Sequence, residues 1–220
     1  MNRLKLSNGL IVFGGDRGAG KTRFLLKLAN YLALSEKVLF VSYTDYTERL
    51  EHILQGIDGI INPNLELNTT LGYYCVDSFI ELIEHIEDGE FTTVIIDDVE
   101  HYSLSPAGTF SYPGKDGIVD ALLFISTRIK VRVVFSTRLV SNYLDDAFSA
   151  PTLQNFIWSR EIINQCEQIY AIHRPTLYGI VEDKEEGFFY KDRIEVVSLK
   201  NETHELESIR FSNADYRFFS

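Results

Sequence analysis

The sequence predicts an α/β protein in which helices flank a mostly parallel central sheet, with an antiparallel β extension at the C-terminal end. Before Glu167, short apolar runs alternate with segments of helical periodicity, which is typical of a parallel sheet. From Glu167 onward, short strand patterns follow one another with polar turns between them, which favours antiparallel pairing. We find no repeat, low-complexity tract or linker, so residues 1–220 are expected to form a single domain.

The first half of the chain gives the following elements from its apolar runs and 3.6-residue periodicity. They are a strand at residues 10–13, a helix at 22–34, a strand at 38–41, a helix at 47–55 and a short strand at 73–76. Ser78 is predicted to cap the next helix, which runs to Ile86, because Glu81 stands three residues further on and completes a capping box.

The second half begins with a buried strand at residues 93–96. Proline and glycine at positions 106, 108, 113 and 114 indicate a long loop over residues 100–115. The remaining elements are a helix at 116–129, a strand at 131–136, a loop with short helices at 139–160, and strands at 169–172, 194–199 and 208–211.

Charge and composition narrow the class of function. The chain has a net charge of −11, which argues against a broad electrostatic grip on DNA or RNA. The basic residues in the middle of the chain could form a local basic stripe, or they could simply be charged surface residues. They are Lys115, Arg128, Lys130, Arg132 and Arg138. We see no run of membrane-spanning length and no signal-peptide pattern, and Cys75 and Cys166 have no metal-binding spacing. We therefore expect a cytoplasmic protein with reduced cysteines and no membrane partner.

The strongest motif is the phosphate-binding P-loop pattern G-x-x-x-x-G-K-[ST], which directly follows the first strand and precedes the first helix. The residues predicted to bind the nucleotide are Gly15, Asp16, Arg17, Gly18, Ala19, Gly20, Lys21 and Thr22. Backbone N–H groups of such a loop converge on phosphate oxygens, and the helix N-terminus adds a positive dipole end. We expect Lys21 to reach the β- and γ-phosphates and the Thr22 hydroxyl to ligate Mg²⁺.

A second part of a nucleotide site is indicated by the strand at residues 93–96, which ends in Asp97 and Asp98. In P-loop NTPases such an acidic residue holds Mg²⁺ opposite the P-loop hydroxyl, so we assign Asp97 to the metal and, with Lys21, to catalysis. Asp98 could support that site or simply cap a turn. Groups that could position the attacking water follow the other central strands: Tyr43, Thr44, Asp45 and Glu48 after the second, and Thr137 and Arg138 after the fifth.

The C-terminal part of the sequence is more specific than the P-loop motif. The stretch EQIYAIHRP at residues 167–175, followed by YGI at 178–180 and ED at 182–183, resembles a segment of the DnaB family of replicative helicases. The strand order around the P-loop, VLFVS, IIDD and VVFST, is also similar to that family's RecA-like ATPase domain, over residues 8–212. The resemblance implies a RecA-like P-loop ATPase that uses ATP and Mg²⁺ and assembles as a ring-shaped homo-oligomer. It also implies that loops at residues 100–115 and 139–157 face single-stranded DNA.

Three departures from the family pattern bear on catalysis. Thr44 occupies the position of the family's catalytic glutamate, and a threonine cannot act as a general base at neutral pH. Either Asp45, if the backbone shifts, or Glu48 would have to replace it. The finger segment, which in the family acts on the neighbouring subunit, offers one cation, Lys200, in place of a planar guanidinium. The family's N-terminal domain and linker helix have no counterpart in these residues.

Individual residues in the tail keep two interpretations. His173 could sit near the nucleotide or be a structural histidine, and Arg174 could contact a base, a phosphate or a carboxylate. Trp158 and the aromatic clusters at residues 188–190 and 216–219 could stack on bases or pack in the core. The acidic run at residues 182–186 is most simply a solvated turn.

Two functions follow as hypotheses. The first is a helicase-like ATPase whose ATP hydrolysis is coupled to binding or translocation of single-stranded DNA in replication. The alternative is a hydrolysis-impaired ATP-binding regulatory or scaffold protein that acts through a helicase-related protein partner. A nucleotide or small-molecule kinase is a weaker third, because we see no arginine-rich lid segment.

Overall fold

The computed structural model describes residues 4–42, 44–70, 76–99, 115–139, 151–156, 160–183, 188–189, 193–200 and 208–212. The strands in chain order are β1 (Leu10–Gly15), β2 (Val38–Ser42), β3 (Leu65–Asn68), β4 (Thr93–Asp97), β5 (Arg132–Thr137), β6 (Gln168–His173), β7 (Glu182–Asp183), β8 (Phe188–Phe189), β9 (Arg193–Lys200) and β10 (Ser208–Ser212). The α-helices are α1 (Lys21–Leu32), α2 (Thr47–Asp58), α3 (Val76–Asp88), α4 (Lys115–Phe124) and α5 (Arg160–Gln165). A π-helical turn at Ile125–Ile129 continues α4, and 3₁₀ turns lie at Leu153–Asn155 and Pro175–Tyr178.

An eight-stranded sheet in the order β10-β9-β6-β1-β5-β4-β2-β3 forms the centre of the fold. The strands from β6 to β3 pair in parallel, whereas β9 pairs antiparallel with β6 and β10 antiparallel with β9. This confirms the predicted fold class, including the C-terminal antiparallel extension. Because parallel strands end at the same edge, the loops after β1, β2, β4 and β5 meet there, as ligand sites of open α/β sheets do.

The core lies in two layers, one on each face of the sheet, and β1 contributes alternate side chains to both. Leu10 and Val12 pack into one layer, and Ile11 and Phe13 into the other. Helices α3 and α4 cover the first layer through residues such as Leu82 and Leu122. Helices α1 and α2 cover the second, where α1 runs directly behind the P-loop. Burial on both faces explains why the central strands read as continuous apolar runs.

One strand of the sheet was not predicted from the sequence. It is β3, at Leu65–Asn68, which pairs with β2 from Val38↔Leu65 to Val41↔Asn68. This edge strand has one paired side and only Leu65 is buried, so it carries little of the apolar signal on which sequence prediction depends. Of the strand predicted at residues 73–76, Val76 is helical, and the other residues lie within 71–75, which are outside the described part.

The capping-box prediction at Ser78 is also wrong, because α3 begins two residues earlier, at Val76, and Ser78 is therefore inside the helix. The predicted loop at residues 100–115 lies outside the described residues except for Lys115, which begins α4. Of the segment at 139–160, residues 139, 151–156 and 160 are described, and they include the predicted short helical turn at Leu153–Asn155. Within the described residues, no helix is both long and apolar enough to cross a membrane.

Candidate nucleotide-binding site

The P-loop backbone curves between β1 and α1 and opens toward the carboxyl edge of the sheet. Gly18 and Gly20 have φ values of +85° and +96°, in the left-handed region where a side chain would be strained. The Ala19 N–H donates to the Asp16 carbonyl at 3.1 Å, which tightens the loop, and Gly20 serves as the N-cap of α1. The loop thus presents a helix N-terminus and adjacent backbone N–H groups, the arrangement that suits an anion.

Lys21 lies folded over this loop. Its side chain is 8% exposed, and its Nζ donates to the Gly15 carbonyl at 3.0 Å and lies 3.7 Å from Asp98 Oδ1. Both contacts lie at the carboxyl ends of β1 and β4, so the ammonium is held at that edge of the sheet, beside the loop. A bound phosphate group there would meet a positioned cation.

Asp97, at the end of β4, is held by two hydroxyl groups. Thr22 Oγ1 donates to Asp97 Oδ2 at 2.6 Å, and Ser136 Oγ donates to Asp97 Oδ1 at 2.7 Å. The Asp98 N–H in turn donates to Ser136 Oγ at 2.7 Å. Asp97 is fully buried. Burial raises the pKa of Asp97 to about 6, against the opposing effect of the Thr22 hydrogen bond. The carboxylate is therefore still ionised at neutral pH.

The Thr22–Asp97 pair fits a magnesium ion. It places a hydroxyl oxygen and a carboxylate oxygen 2.6 Å apart beside the phosphate loop, and both are hard oxygen ligands. In the part of the chain that the structure describes, no cluster of three or more His, Cys, Asp or Glu residues could hold a metal alone. Mg²⁺ in nucleotide sites characteristically takes only one or two protein ligands and completes its shell with phosphates and water, so this sparse donor set suits it.

A cleft of about 790 Å³ extends from the P-loop along α2. Its walls come from the P-loop and the start of α1, from α2 and the residues before it, and from the ends of β4 and β5. The lining residues are Asp16, Arg17, Gly18, Gly20, Lys21, Thr22, Arg23, Thr44, Asp45, Arg49, His52, Ile53, Gly56, Asp98 and Arg138. Apart from Gly15 and Ala19, the predicted P-loop residues thus share one cleft with Asp45, a candidate substitute for the missing glutamate.

Thr44 and Asp45 follow β2 at the mouth of this cleft. Their backbone N–H groups face Ser42 Oγ at 3.4 and 3.3 Å, which are long contacts for hydrogen bonds. The Asp45 carboxylate accepts from Arg49 Nη1 at 2.7 Å, one helical turn along α2. Asp45 is therefore inside the cleft, but its charge is already engaged by a guanidinium.

The segment after β6 braces the P-loop from the side. The Tyr178 hydroxyl donates to the Asp16 carboxylate, and Arg174 Nη1 lies 3.5 Å from the Gly18 carbonyl. The Tyr178 ring stacks on His173 with their centroids 5.7 Å apart. His173 is buried opposite Glu195 of β9, and burial lowers its pKa, against the opposing effects of Glu195 and Asp16. Arg174 therefore contacts the loop backbone, and Tyr178 contacts Asp16.

Glu48 and Thr137, two candidates for positioning the attacking water, are not among the residues that line the cleft. Lys200 is also away from this site. It lies at the end of β9 opposite Ile169, whereas the P-loop edge of β9 is marked by the His173↔Glu195 pair. Its Nζ donates to the carbonyls of Asn164 and Cys166, at 2.8 and 2.5 Å. Its expected action on a neighbouring subunit stays a prediction.

The candidate basic stripe is divided by β5. Arg132, at the amino end, pairs with Glu36 at 2.8 Å, whereas Arg138 follows the carboxyl end and lines the cleft. Sequence reasoning also missed three residues of the site, namely Ser136, Arg49 and Tyr178. The four-residue spacing of Asp45 and Arg49 could have suggested their contact, because residues four apart meet when the chain turns helically. No comparable local signal marks the other two.

Comparison with solved structures identifies the fold. The chain matches the structure described as "a DnaB-like replicative helicase and its interactions with primase" with a TM-score of 0.72 and 15% identity, over 93% of this chain and 56% of that one. It matches a second structure, described as an ATPase domain, with a TM-score of 0.71 and 15% identity, over 95% of this chain and 83% of that one. It matches flagellar accessory protein FlaH from Methanocaldococcus jannaschii with a TM-score of 0.60 and 13% identity, over 93% of this chain and 84% of that one.

No protein-family model matches the chain, and no curated protein matches its sequence. At identities of 13–15% the structural likeness carries the fold, which is that of RecA-like helicase ATPase domains. The chain spans 56% of the length of the helicase chain named first, so it corresponds to part of that protein.

Proposed function

We propose that this chain is a P-loop ATPase domain that binds Mg·ATP at the P-loop cleft and hydrolyses it slowly. The observation that carries the proposal is the convergence of Lys21, Thr22 and Asp97 at one end of the sheet. A chance P-loop sequence would not bring the hydroxyl of Thr22 to within 2.6 Å of a buried carboxylate 75 residues away. This is the division of labour that Mg·nucleotide sites need: backbone and lysine for phosphates, and hydroxyl and carboxylate for the metal.

The chain's own residues would do the binding and orientation. The N–H groups around Gly18 and Gly20 would hold the β-phosphate, and Lys21 would neutralise oxygens of the β- and γ-phosphates. Thr22 and Asp97 would hold Mg²⁺, which supplies charge neutralisation on the phosphate oxygens. Ser136 would fix the Asp97 carboxylate through its 2.7 Å hydrogen bond, so that the oxygen facing Thr22 keeps its place.

Slow hydrolysis follows from the groups available to the attacking water. Thr44 cannot take a proton at neutral pH, and Asp45 is held by Arg49 at 2.7 Å. With Asp45 Oδ1 already engaged by Arg49, less of this carboxylate is available to accept a proton from water, so proton removal would be poorly assisted. Positioning and electrostatic stabilisation would remain, and these carry most of the catalysis of phosphoryl transfer.

Coupling to single-stranded DNA and ring assembly are the finer part of the proposal. Their support is the fold shared with structures named as a replicative helicase and an ATPase domain, together with the tail segment at residues 167–183. The candidate DNA loops at 100–115 and 139–157 fall largely outside the described residues. A cytoplasmic location remains an expectation from the sequence.

The second candidate is an ATP-binding regulatory or scaffold protein without useful turnover. It is favoured by the engagement of both remaining catalytic candidates, Asp45 by Arg49 and Lys200 by the carbonyls of Asn164 and Cys166. In that case ATP would stabilise a conformation recognised by a helicase-related partner.

The test is a comparison of binding and turnover. We would measure the affinity for ATP with and without Mg²⁺, and steady-state hydrolysis with and without single-stranded DNA. Lys21→Ala should abolish both, whereas Lys37→Ala, which removes an exposed lysine outside the cleft, should change neither. Turnover stimulated by DNA supports the motor, and ATP binding without turnover supports the regulatory protein. No binding, or binding equally strong in Lys21→Ala, would overturn both.

A further inference from the structure

We propose that Arg49 of α2 recognises the γ-phosphate from within the same subunit, in place of a cation supplied by a neighbour. The inference rests on the proposed ATP site and concerns how that site tells ATP from ADP. It is argued from the position of α2, from the partner of Arg49 and from the engagement of Lys200.

The register of the sheet gives the position of α2. Ser42, the last residue of β2, lies directly beside Asp97, the last residue of β4. The chain then passes Thr44 and Asp45 and turns into α2, so the start of this helix stands beyond the acidic end of β4. Lys21 and Asp98, which are 3.7 Å apart, line the same cleft as Arg49. In this proposal, the terminal phosphate of a nucleotide held by Lys21 and by the metal pair points toward α2.

One face of α2 forms the wall of the cleft. Arg49, Ile53 and Gly56 recur at helical spacing and line it, with His52 beside them, and Asp45 lines it just before the helix begins. Arg49 is the first cation on this face, one turn from Asp45. Its side chain is 58% exposed, so the guanidinium is open to the solvent of the cleft.

The existing partner of Arg49 leaves it able to bind phosphate. Only Nη1 is used in the 2.7 Å contact with Asp45 Oδ1. A guanidinium has five N–H donors in a planar fork, so the same group can keep Asp45 and still donate to a phosphate oxygen. The carboxylate would also orient the fork, since an exposed arginine alone loses more side-chain entropy on binding. In this proposal, the contact with Asp45 therefore serves to orient the Arg49 guanidinium as a hydrogen-bond donor to phosphate.

The finger segment offers no comparable group. Its one cation, Lys200, donates to the carbonyls of Asn164 and Cys166 of its own chain and would have to break both contacts to act elsewhere. Arginines that stabilise the terminal phosphate act either from a neighbour or from the same chain in different NTPases, so a position on α2 satisfies the same electrostatic need.

The experiment is a comparison of ATP and ADP affinities. Isothermal titration would give both affinities, in the presence of Mg²⁺, for the full chain and for Arg49→Ala, Arg49→Lys and Arg23→Ala. Arg49→Ala should weaken ATP binding by about tenfold or more and ADP binding by less than about twofold, because only ATP carries the γ-phosphate. Arg49→Lys should lie between, since it keeps the charge without the fork.

Arg23→Ala is the matched control, because it removes the same charge from the same cleft but from α1. It should change the two affinities by similar factors. Equal losses for ATP and ADP in Arg49→Ala, no loss in either, or the same ATP-selective loss in Arg23→Ala would overturn the inference while leaving the proposed function intact. If the unaltered chain binds neither nucleotide, the proposed function fails, and the role of Arg49 fails with it.

Discussion

Replacing Ser136 by alanine tests whether this hydroxyl holds the acidic end of β4 in place. Ser136 and Asp97 are both fully buried, and Ser136 Oγ makes two 2.7 Å contacts, one as donor to Asp97 Oδ1 and one as acceptor from the Asp98 N–H. Alanine fits the same space but makes neither contact. A carboxylate oxygen and a backbone N–H would be left without these partners inside the protein.

The expected cost follows from these two contacts. At pH 8 Asp97 is ionised, because burial raises its pKa only to about 6. The lost bond is therefore one to a charged acceptor, which contributes about 1.5–3 kcal/mol, and the Asp98 N–H, left unpaired in a partly buried position, costs about 1 kcal/mol. We expect Ser136→Ala to lower the free energy of unfolding by about 2.5–4 kcal/mol. For a domain of this size that corresponds to a drop in Tm of roughly 5–15 °C.

Ser42 provides a matched control at the neighbouring strand end. It is also fully buried, and in the sheet register it lies directly beside Asp97. Among the described residues, however, its hydroxyl accepts only the long 3.4 and 3.3 Å contacts from Thr44 and Asp45. Because long bonds to a neutral oxygen contribute less, Ser42→Ala should cost about 1 kcal/mol or below.

The assay is thermal unfolding of both variants at pH 8, followed by circular dichroism without nucleotide. A Tm for Ser136→Ala that lies within about 2 °C of that for Ser42→Ala would refute the reasoning, because it would mean that the short contacts around Asp97 contribute no more than the long ones.

Two further results follow from buried side chains. Because burial lowers the pKa of His173, the unfolded chain takes up a proton near its ordinary value of 6.5 before the folded chain does, so stability should fall as the pH drops below 6.5 toward the folded pKa. This loss should be smaller in His173→Gln, and an NMR titration midpoint for His173 at or above 6.5 would contradict it. Burial raises the pKa of the Cys166 thiol to about 12, so in a Cys75→Ser background its labelling by a thiol reagent at pH 8 should be slow and should accelerate with denaturant. Labelling of the folded protein as fast as that of an unfolded chain would show that Cys166 is accessible.

The parts of the fold that were predictable from sequence are those with strong local signals. The central strands are buried on both faces and therefore read as short apolar runs, and α1 and α2 have clear helical periodicity. β3 was missed because it is a half-buried edge strand whose identity depends on pairing with β2. The start of α3 was misplaced because Ser78 offered a local capping pattern that the helix does not use.

The phosphate loop and its acidic counterpart are encoded by local sequence. The P-loop is eight contiguous residues, Gly15 to Thr22, and its glycines and the helix that starts at its end are all encoded within that stretch. Asp97 is marked by the buried strand that it ends. The side chains that support them are brought there only by the packing of the whole sheet. Ser136 reaches Asp97 across 39 residues of sequence, and Tyr178 reaches Asp16 across 162. Arg49 shares the cleft only because β2 ends beside β4. Such contacts depend on strand order and register, which are set by non-local packing and leave no pattern in neighbouring residues.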